Sequence, residues 1–438
     1  AFLIGGANSV TGGYEVANSC RFDGTSAGMT KASVAGTRTK ATFSTWVKRG
    51  GITAEEMLFN SRIDASNHLV IRFTGAEQLE LVNRIGGANI TFYTTNALYR
   101  DPSAWMHILW SLDTTQGVAG NRIKLFVNGT QVTSFATSTT QDADTNLAAN
   151  TTSDDYYVAQ EYTSGSNWFG GYLAETVWVD GTAYAASDFG EFDSDSPTIW
   201  KPKDVSGLTF GNSGFYLDYE DSSNLGNDKG TVGTDLTEAN LAATDQSIDT
   251  CTNNGNTLNP LAQTPQKGTL AEGNLEYDRA GGSDNWVTIG STIAATAGKW
   301  YYEYKIIDGG SSAGNGSLVG FLDYNTSVFQ STANDAITGT GEYAWYGASG
   351  NLYINGTDVA QVDSYTDGDI VMVAMDLENS KAYWGKNGTW ISSGDPTSGA
   401  TGTGARDIAN VSSGCYAFAV AHREGGNGQA NFGSPPYA

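Results

Sequence analysis

The chain has 438 residues, 55 of them Gly and only 8 Pro, and 16% are charged, well short of the roughly 25% usual in soluble domains. That length allows two or three hydrophobic cores. The net charge of −24, with no basic run, disfavours nucleic acid and anionic membranes, whose binding needs clustered Lys and Arg. The acidity reads first as a solubility device and second as a store of oxygen ligands for Ca²⁺.

Cys20, Cys251 and Cys415 are too few and too widely spaced for a disulfide framework or a CxxC metal site. The opening "AFLIGGANSV" has no basic leader and an apolar run of only four residues. Neither a signal peptide nor a membrane span is expected from it, which fits synthesis in a reducing cytoplasm.

From "NSCRFDGTSAGMTKA" onward, short strand candidates alternate with Gly, Asn, Asp and Ser clusters. "ATFSTWVKRG" sets Phe43, Thr45 and Val47 against Thr42, Ser44 and Trp46, and "HLVIRF" and "QLELVN" keep the same period of two. "WMHILWSLD" places Trp105, His107 and Leu109 on one face and Met106, Ile108 and Trp110 on the other. Both faces are largely apolar, so this is expected to be a central strand covered on two sides. In "NRIKLFVNGTQV", Ile123, Leu125 and Val127 oppose Arg122, Lys124 and Phe126. Asn128-Gly129 then closes a hairpin whose two turn residues need positive φ. "FGGYLAETVWVDG" reads as a closing strand bearing Leu173, Val177 and Val179, with Phe169 in the core.

After "GFYLDYED", which looks like one more strand, the sequence up to residue 265 is polar and small and reads as a connector. A stretch this long is expected to pack on a neighbouring domain. A second β series begins near Gly268 with "NWVTIG", "GKWYYEYKII", "GSLVGFLD", "GEYAWYG" and "GNLYING". The hairpin "DGDIVMVAMDLENSKAYWGKNGTW", "CYAFAVAH" and "QANFGSPPYA" complete it, with the spacing of a β-sandwich. The predicted organisation is an N-terminal sandwich over 1–205, a connector with an additional strand over 206–265, and a second sandwich over 266–438.

"GKWYYEYKI", "LVGFLD", the 367–390 hairpin and "NFGSPPYA" together resemble a SPRY domain. "CRFDG", "TFSTWVKRG", "WMHILWSLDTT", "RIKLFVNGTQV" and "FGGYLAETVWVDG" resemble a laminin-G or pentraxin-type jelly roll. The resemblance implies an all-β chain of two concanavalin-like antiparallel β-sandwiches in tandem. The whole tandem, with "FLIGGANS" and "GFYLDYED", is similar to proteins of bacteriophage genomes in which such modules sit on virion and fibre proteins. That likeness implies a non-enzymatic virion structural, fibre or spike protein, exposed on the particle and made in the host cytoplasm. Its expected partners are other virion proteins, a host-surface glycan or protein, and further copies of itself. Nucleic acid and membrane insertion are not expected. The alternatives are a capsid decoration protein without receptor binding, a secreted lectin, and a polysaccharide depolymerase.

Loops carry the binding expectation, because an aromatic face stacks on a sugar while amides and carboxylates fix its hydroxyls. "QEYTSGSNWFGG" offers Tyr162, Asn167 and Trp168, "FLDYNTSVFQ" offers Asp323 and Tyr324, and "GEYAWYGASGN" offers Trp345 and Tyr346. No cofactor is required, but Ca²⁺ has two candidate loops: "LDTTQGVAGN" with Asp113 and Asn121, and "YEDSSNLGNDKG" with Asp221, Asn224 and Asp228. A depolymerase would need paired carboxylates. "GEFDSDS" aligns Glu191, Asp193 and Asp195, but with Asp in place of the acid/base Glu and beyond the last clear strand, so a polar turn is expected. Of the three histidines, His68, His107 and His422, His107 is expected to be a satisfied core residue and His422 to lie at the surface.

Overall fold

The computed structural model describes residues 3–4, 13–52, 54–162, 166–230, 234–265, 268–279, 285–310, 316–329, 336–360, 363–409 and 414–433. Helical structure among them is confined to short 3-10 turns such as Ala119–Asn121. The chain divides into two compact units, one formed by residues 8–254 and the other by 255–438 with residues 1–7. Each unit is a sandwich of two mainly antiparallel sheets.

In the first unit the back sheet runs Thr130–Val132, Ile123–Val127, Met106–Asp113, Lys40–Arg49, Gly170–Asp180, Ser19–Asp23 and Gln246–Ser247, with Phe215–Leu217 also paired to Gly170–Asp180. The front sheet runs Phe135–Thr139, Ala88–Thr95, Leu79–Ile85, Asn67–Phe73, Glu56–Asp64, Asp155–Val158, Gly28–Ala32 and Thr237–Ala239. Alternation behaves as the sequence predicts: Phe43, Val47, Met106, Ile108, Trp110, Ile123 and Leu125 enter the core between the sheets. Leu109 and Trp105 join clusters on the other face of the back sheet. Phe59 stacks on Trp178 at 4.6 Å and on Phe43 at 5.5 Å across that core, a pairing worth about 0.5–1.5 kcal/mol beyond burial alone.

One expectation changes. Leu173 faces the central core, but Val177 and Val179 face the opposite cluster. The register of Gly170–Asp180 against Lys40–Arg49 shifts between Ala174 and Val177, and Glu175 sits at φ 49. An inserted residue of this kind reverses the phase of everything after it. The strand expected in "GFYLDYED" is Phe215–Leu217, and the polar stretch after it packs on the first unit by adding strands Thr237–Ala239 and Gln246–Ser247 to its two sheets. Backbone pairing, the buried Lys31–Asp228 pair and the core side chains Phe215, Leu217, Tyr219, Leu225 and Leu236 hold this stretch in place; residues 231–233 of it lie outside the described residues.

In the second unit the back sheet runs Leu3–Ile4, Val287–Ala295, Tyr416–His422, Ser317–Asp323, Glu342–Tyr346, Leu352–Ile354 and Thr357–Val359, with Leu258–Gln263 also paired to Val287–Ala295. The front sheet runs Thr269–Ala271, Glu276–Asp278, Asn427–Asn431, Lys299–Asp308, Ile370–Asp376, Lys381–Lys386 and Thr389–Trp390, with Arg406–Asp407 beside Lys381–Lys386. Phe321 lies between Tyr343 at 4.8 Å and Trp384 at 5.7 Å in its core. Both Asn-Gly pairs take left-handed backbone, Asn128 at φ 46 with Gly129 at φ 72 and Asn387 at φ 49 with Gly388 at φ 81. These are the tight turns the sequence called for.

Candidate functional site

The front sheet of the first unit displays three cross-strand rows on its outer face. Met57, Arg72, Glu80 and Thr94 stand opposite one another in the first row, and Asn60, Val70, Val82 and Phe92 in the second. Arg62, His68 and Arg84 form the third. Met57, Val70 and Val82 are buried against each other, so the face has an apolar floor between two charged rows.

Residues 159–162 and 166–169, which follow Asp155–Val158, lie at one end of this face. Ala159 turns the chain at φ 62, its N–H donating to Leu58 O, and buried Phe169 re-enters the core with its N–H donating to Ala159 O at 2.9 Å. Between these anchors Asn167 adopts φ 66, a conformation Asn tolerates better than most residues. Its carbonyl accepts from Met57 N–H at 2.9 Å. Its side-chain amide donates to Glu55 Oε1 at 3.0 Å and to Glu161 Oε2 at 3.1 Å. Arg72 donates to Glu55 and, through Nε and Nη2, to Glu80 Oε1 at 2.8 and 2.6 Å. Thr94 Oγ1 closes the chain by donating to Glu80 Oε2 at 3.0 Å.

Tyr162 packs under the Arg62 guanidinium, 4.4 Å from the ring centroid, and Trp168 is half-buried beside Asn167. Burial raises the Glu55 carboxyl above the usual carboxylate range; Arg72 opposes this, while Glu161 and Glu80 reinforce it. The result is an immobilised set of three carboxylates, an amide and the Arg72 guanidinium, while Arg62, with Tyr162 packed on it, stands in the third row, four strand residues or about 13 Å along the sheet. Such a set suits hydroxyl-rich ligands, whose OH groups both donate and accept. Sequence alone names Tyr162, Asn167 and Trp168 in this loop but not their neighbour Glu161, nor Glu55, Arg62, Arg72 and Glu80, which come from other strands and turns.

The second unit's candidates do not converge. Trp345 is fully buried, with Nε1 donating to Gly350 O at 3.0 Å and to Asp363 O at 3.3 Å. It is a core residue and not a loop aromatic, because Glu342–Tyr346 turns Tyr343 and Trp345 inward together. Tyr346 faces the other way, at 5.7 Å from Trp286, and its hydroxyl accepts from Arg423 Nη2 at 2.9 Å. Asp323 is a buried turn former that accepts from Asn325 N–H at 3.0 Å, and Tyr324 packs toward Phe329 at 6.3 Å. Because Leu318 pairs with Tyr346, six strand residues separate Tyr346 from Tyr324, about 20 Å.

The calcium candidates are engaged within the fold. Asp113 accepts from Thr115 and Gln116 and pairs with Lys40 at 3.5 Å, while Asn121 lies in a 3-10 turn. Asp221 caps its own turn through Ser223, and Asn224 donates to Asp235 at 2.8 Å. Asp228 is a buried partner of Lys31 and accepts from the N–H groups of Tyr216 and Gly230. Among the described residues no group of three or more His, Cys, Asp or Glu is placed to hold a metal ion.

Glu191 is on a short hairpin, paired with Lys201 and Lys203 at 3.4 Å each, and Asp193 accepts from the Asp195 and Ser196 N–H groups. His107 is buried between Ser44 Oγ at 2.8 Å and Trp200 Nε1 at 3.2 Å. His422, expected at the surface, is wholly buried between Tyr304 Oη at 2.7 Å and Ser317 Oγ at 2.8 Å. It is the last residue of a central strand flanked on both sides.

Residues 22–186 match a laminin-G family model described as the concanavalin A-like lectin/glucanases superfamily. The chain is also similar to solved structures: the SPRY domain of human HERC1, at 18% identity and TM-score 0.30, covering 39% of this chain and 98% of that one. The heptameric SAP-like pentraxin of Limulus polyphemus is similar at 10% identity and TM-score 0.30, covering 39% of this chain and 80% of that one. No curated protein matches. Residues 22–186 of the first sandwich are thus similar to concanavalin A-like jelly rolls, and the chain is all-β, two β-sandwiches in tandem.

Proposed function

We propose that the chain is a non-enzymatic adhesion protein of a bacteriophage virion that holds a surface glycan on the front sheet of its first sandwich. The observation that carries this reading is the network in which Asn167 joins Glu55 to Glu161 and Arg72 joins Glu55 to Glu80, on the sheet face whose bordering loop also carries Tyr162 and Trp168. Fixed polar groups beside aromatic faces recognise hydroxyl patterns without needing a nucleophile or a proton shuttle. The non-catalytic reading is supported by the ion pairs and turn bonds that occupy Glu191 and Asp193. The virion setting rests on the likeness of the tandem, with "FLIGGANS" and "GFYLDYED", to phage particle proteins. Repeated copies on a particle would turn a weak saccharide site into firm attachment.

The test is retention of the full chain on immobilised bacterial surface polysaccharides, with a parallel assay for released reducing ends. Retention that Asn167→Gly weakens, without release, is expected, since glycine keeps the left-handed backbone and removes only the amide. Release of reducing ends, or equal retention of the variant, contradicts the reading.

A further inference from the structure

The front sheet of the second sandwich presents an outer face built like a second recognition surface. In Lys299–Asp308, Trp300, Tyr302, Tyr304 and Ile306 turn into the core, so Tyr301, Glu303 and Lys305 face outward. Glu303 stands opposite Asn431, Lys305 opposite Gln429, and Gln429 opposite Glu276. The side chains of this row form two neighbouring bonded groups: Asn431 donates to Glu303 Oε2 at 3.0 Å, and Gln429 and Asn427 donate to Glu276 Oε2 and Oε1 at 2.8 and 3.1 Å. The row crosses three strands, roughly 10 Å.

An aromatic ledge borders it. Tyr301 is 48% exposed and donates to Glu303 Oε1 at 2.7 Å. Its ring lies 6.1 Å from half-buried Trp390, which lies 6.4 Å from Tyr383. Trp390 reaches this position because its strand passes over Gly385, where a Cβ would come within 2.8 Å of Thr389 O and 3.1 Å of Trp390 Cα. The hairpin "GKNGTW" therefore delivers an aromatic to the sheet face as well as closing the core.

We propose that this face is a second saccharide site, taking a neutral oligosaccharide strand stacked on Tyr301 and Trp390 and hydrogen-bonded along Glu303, Asn431, Gln429 and Lys305. The row offers acceptors and donors in alternation, which matches hydroxyls. Lys299 on the same face is paired with Asp376, which leaves Glu276, Asp278 and Glu303 against Lys305, an acidic balance that disfavours a polyanion. The polar row also interrupts any apolar groove that an amphipathic helix would require. The ligand class is that of the first sandwich, but the inference rests on separate residues in a separate unit.

The experiment uses the full chain in the Asn167→Gly background and immobilised hexasaccharides of β-glucan, chitin and alginate. Retention on a neutral hexasaccharide and not on alginate is expected, with a further loss of about tenfold on adding Tyr301→Ala or Asn431→Ala at unchanged Tm. Failure of Asn167→Gly to bind either neutral probe, equal binding to alginate, or no loss from both added substitutions would overturn it. Failure of the first site shows differently, as equal polysaccharide retention by the unsubstituted and Asn167→Gly chains.

Discussion

Lys31 Nζ lies 2.5 Å from Asp228 Oδ2, and the two side chains are 6% and 0% exposed. The pair joins a front-sheet strand to a segment that looks, in sequence, like a polar connector. It makes that segment part of the first sandwich. Removing one partner of a buried pair leaves the other charge uncompensated, so Asp228→Ala should destabilise the first sandwich by about 3–5 kcal/mol. Denaturant unfolding of the full chain checks this, and a change under 1 kcal/mol would be the wrong result.

Core and site aromatics should separate cleanly. Trp345→Ala empties a fully buried position and should cost about 3–5 kcal/mol. Tyr162→Ala removes a half-buried ring that packs on Arg62 and should leave Tm nearly unchanged while weakening polysaccharide retention. Thermal unfolding and retention measured on both variants would expose a reversal.

The second sandwich should lose stability in acid through His422. Burial lowers this imidazole to about 3, against about 6.5 in an unfolded chain. The folded state therefore keeps it neutral while the unfolded state takes up a proton below about pH 6.5. Its contribution is present above that pH and is lost as pH falls toward 3. His422→Gln should be less stable than the unsubstituted chain at pH 8, and the gap should narrow by at most about 1.4 kcal/mol per pH unit below 6.5. Parallel stability curves would show that His422 does not titrate this way.

Chelation should change little. Asp113, Asp221 and Asp228 already accept hydrogen bonds from their own turns or neighbouring strands. EDTA is expected to leave both Tm and polysaccharide retention unchanged, and a drop in either on dialysis against EDTA, reversed by Ca²⁺, would refute this.

The strands and hairpins were legible because period-two patterns and Asn-Gly turns are local signals. Phe43, Trp110 and Leu125 point where alternation puts them. Val177 did not, because nothing in "LAETVWV" announces that Glu175 bulges. In the 206–254 region the strand in "GFYLDYED" was legible, but the way the rest attaches was not, because it uses backbone pairing and Lys31, which lies 197 residues from Asp228. Tyr162 and Asn167 could be selected from loop composition. Arg72 and Glu80 could not, since their meeting depends on the register of two strands. Tyr301 was legible in the alternation of "KWYYEYKI", but its exposure follows only from which face of the sheet stays uncovered.

The most direct measurement is binding of fluorescently labelled full-length protein to intact bacterial cells, with soluble surface polysaccharide as competitor and reducing ends assayed in the supernatant. Saturable, competable binding without sugar release, weakened by Asn167→Gly and Tyr301→Ala together, is the expected result. Absence of binding to any polysaccharide-bearing cell, or release of reducing ends, would contradict an adhesion role.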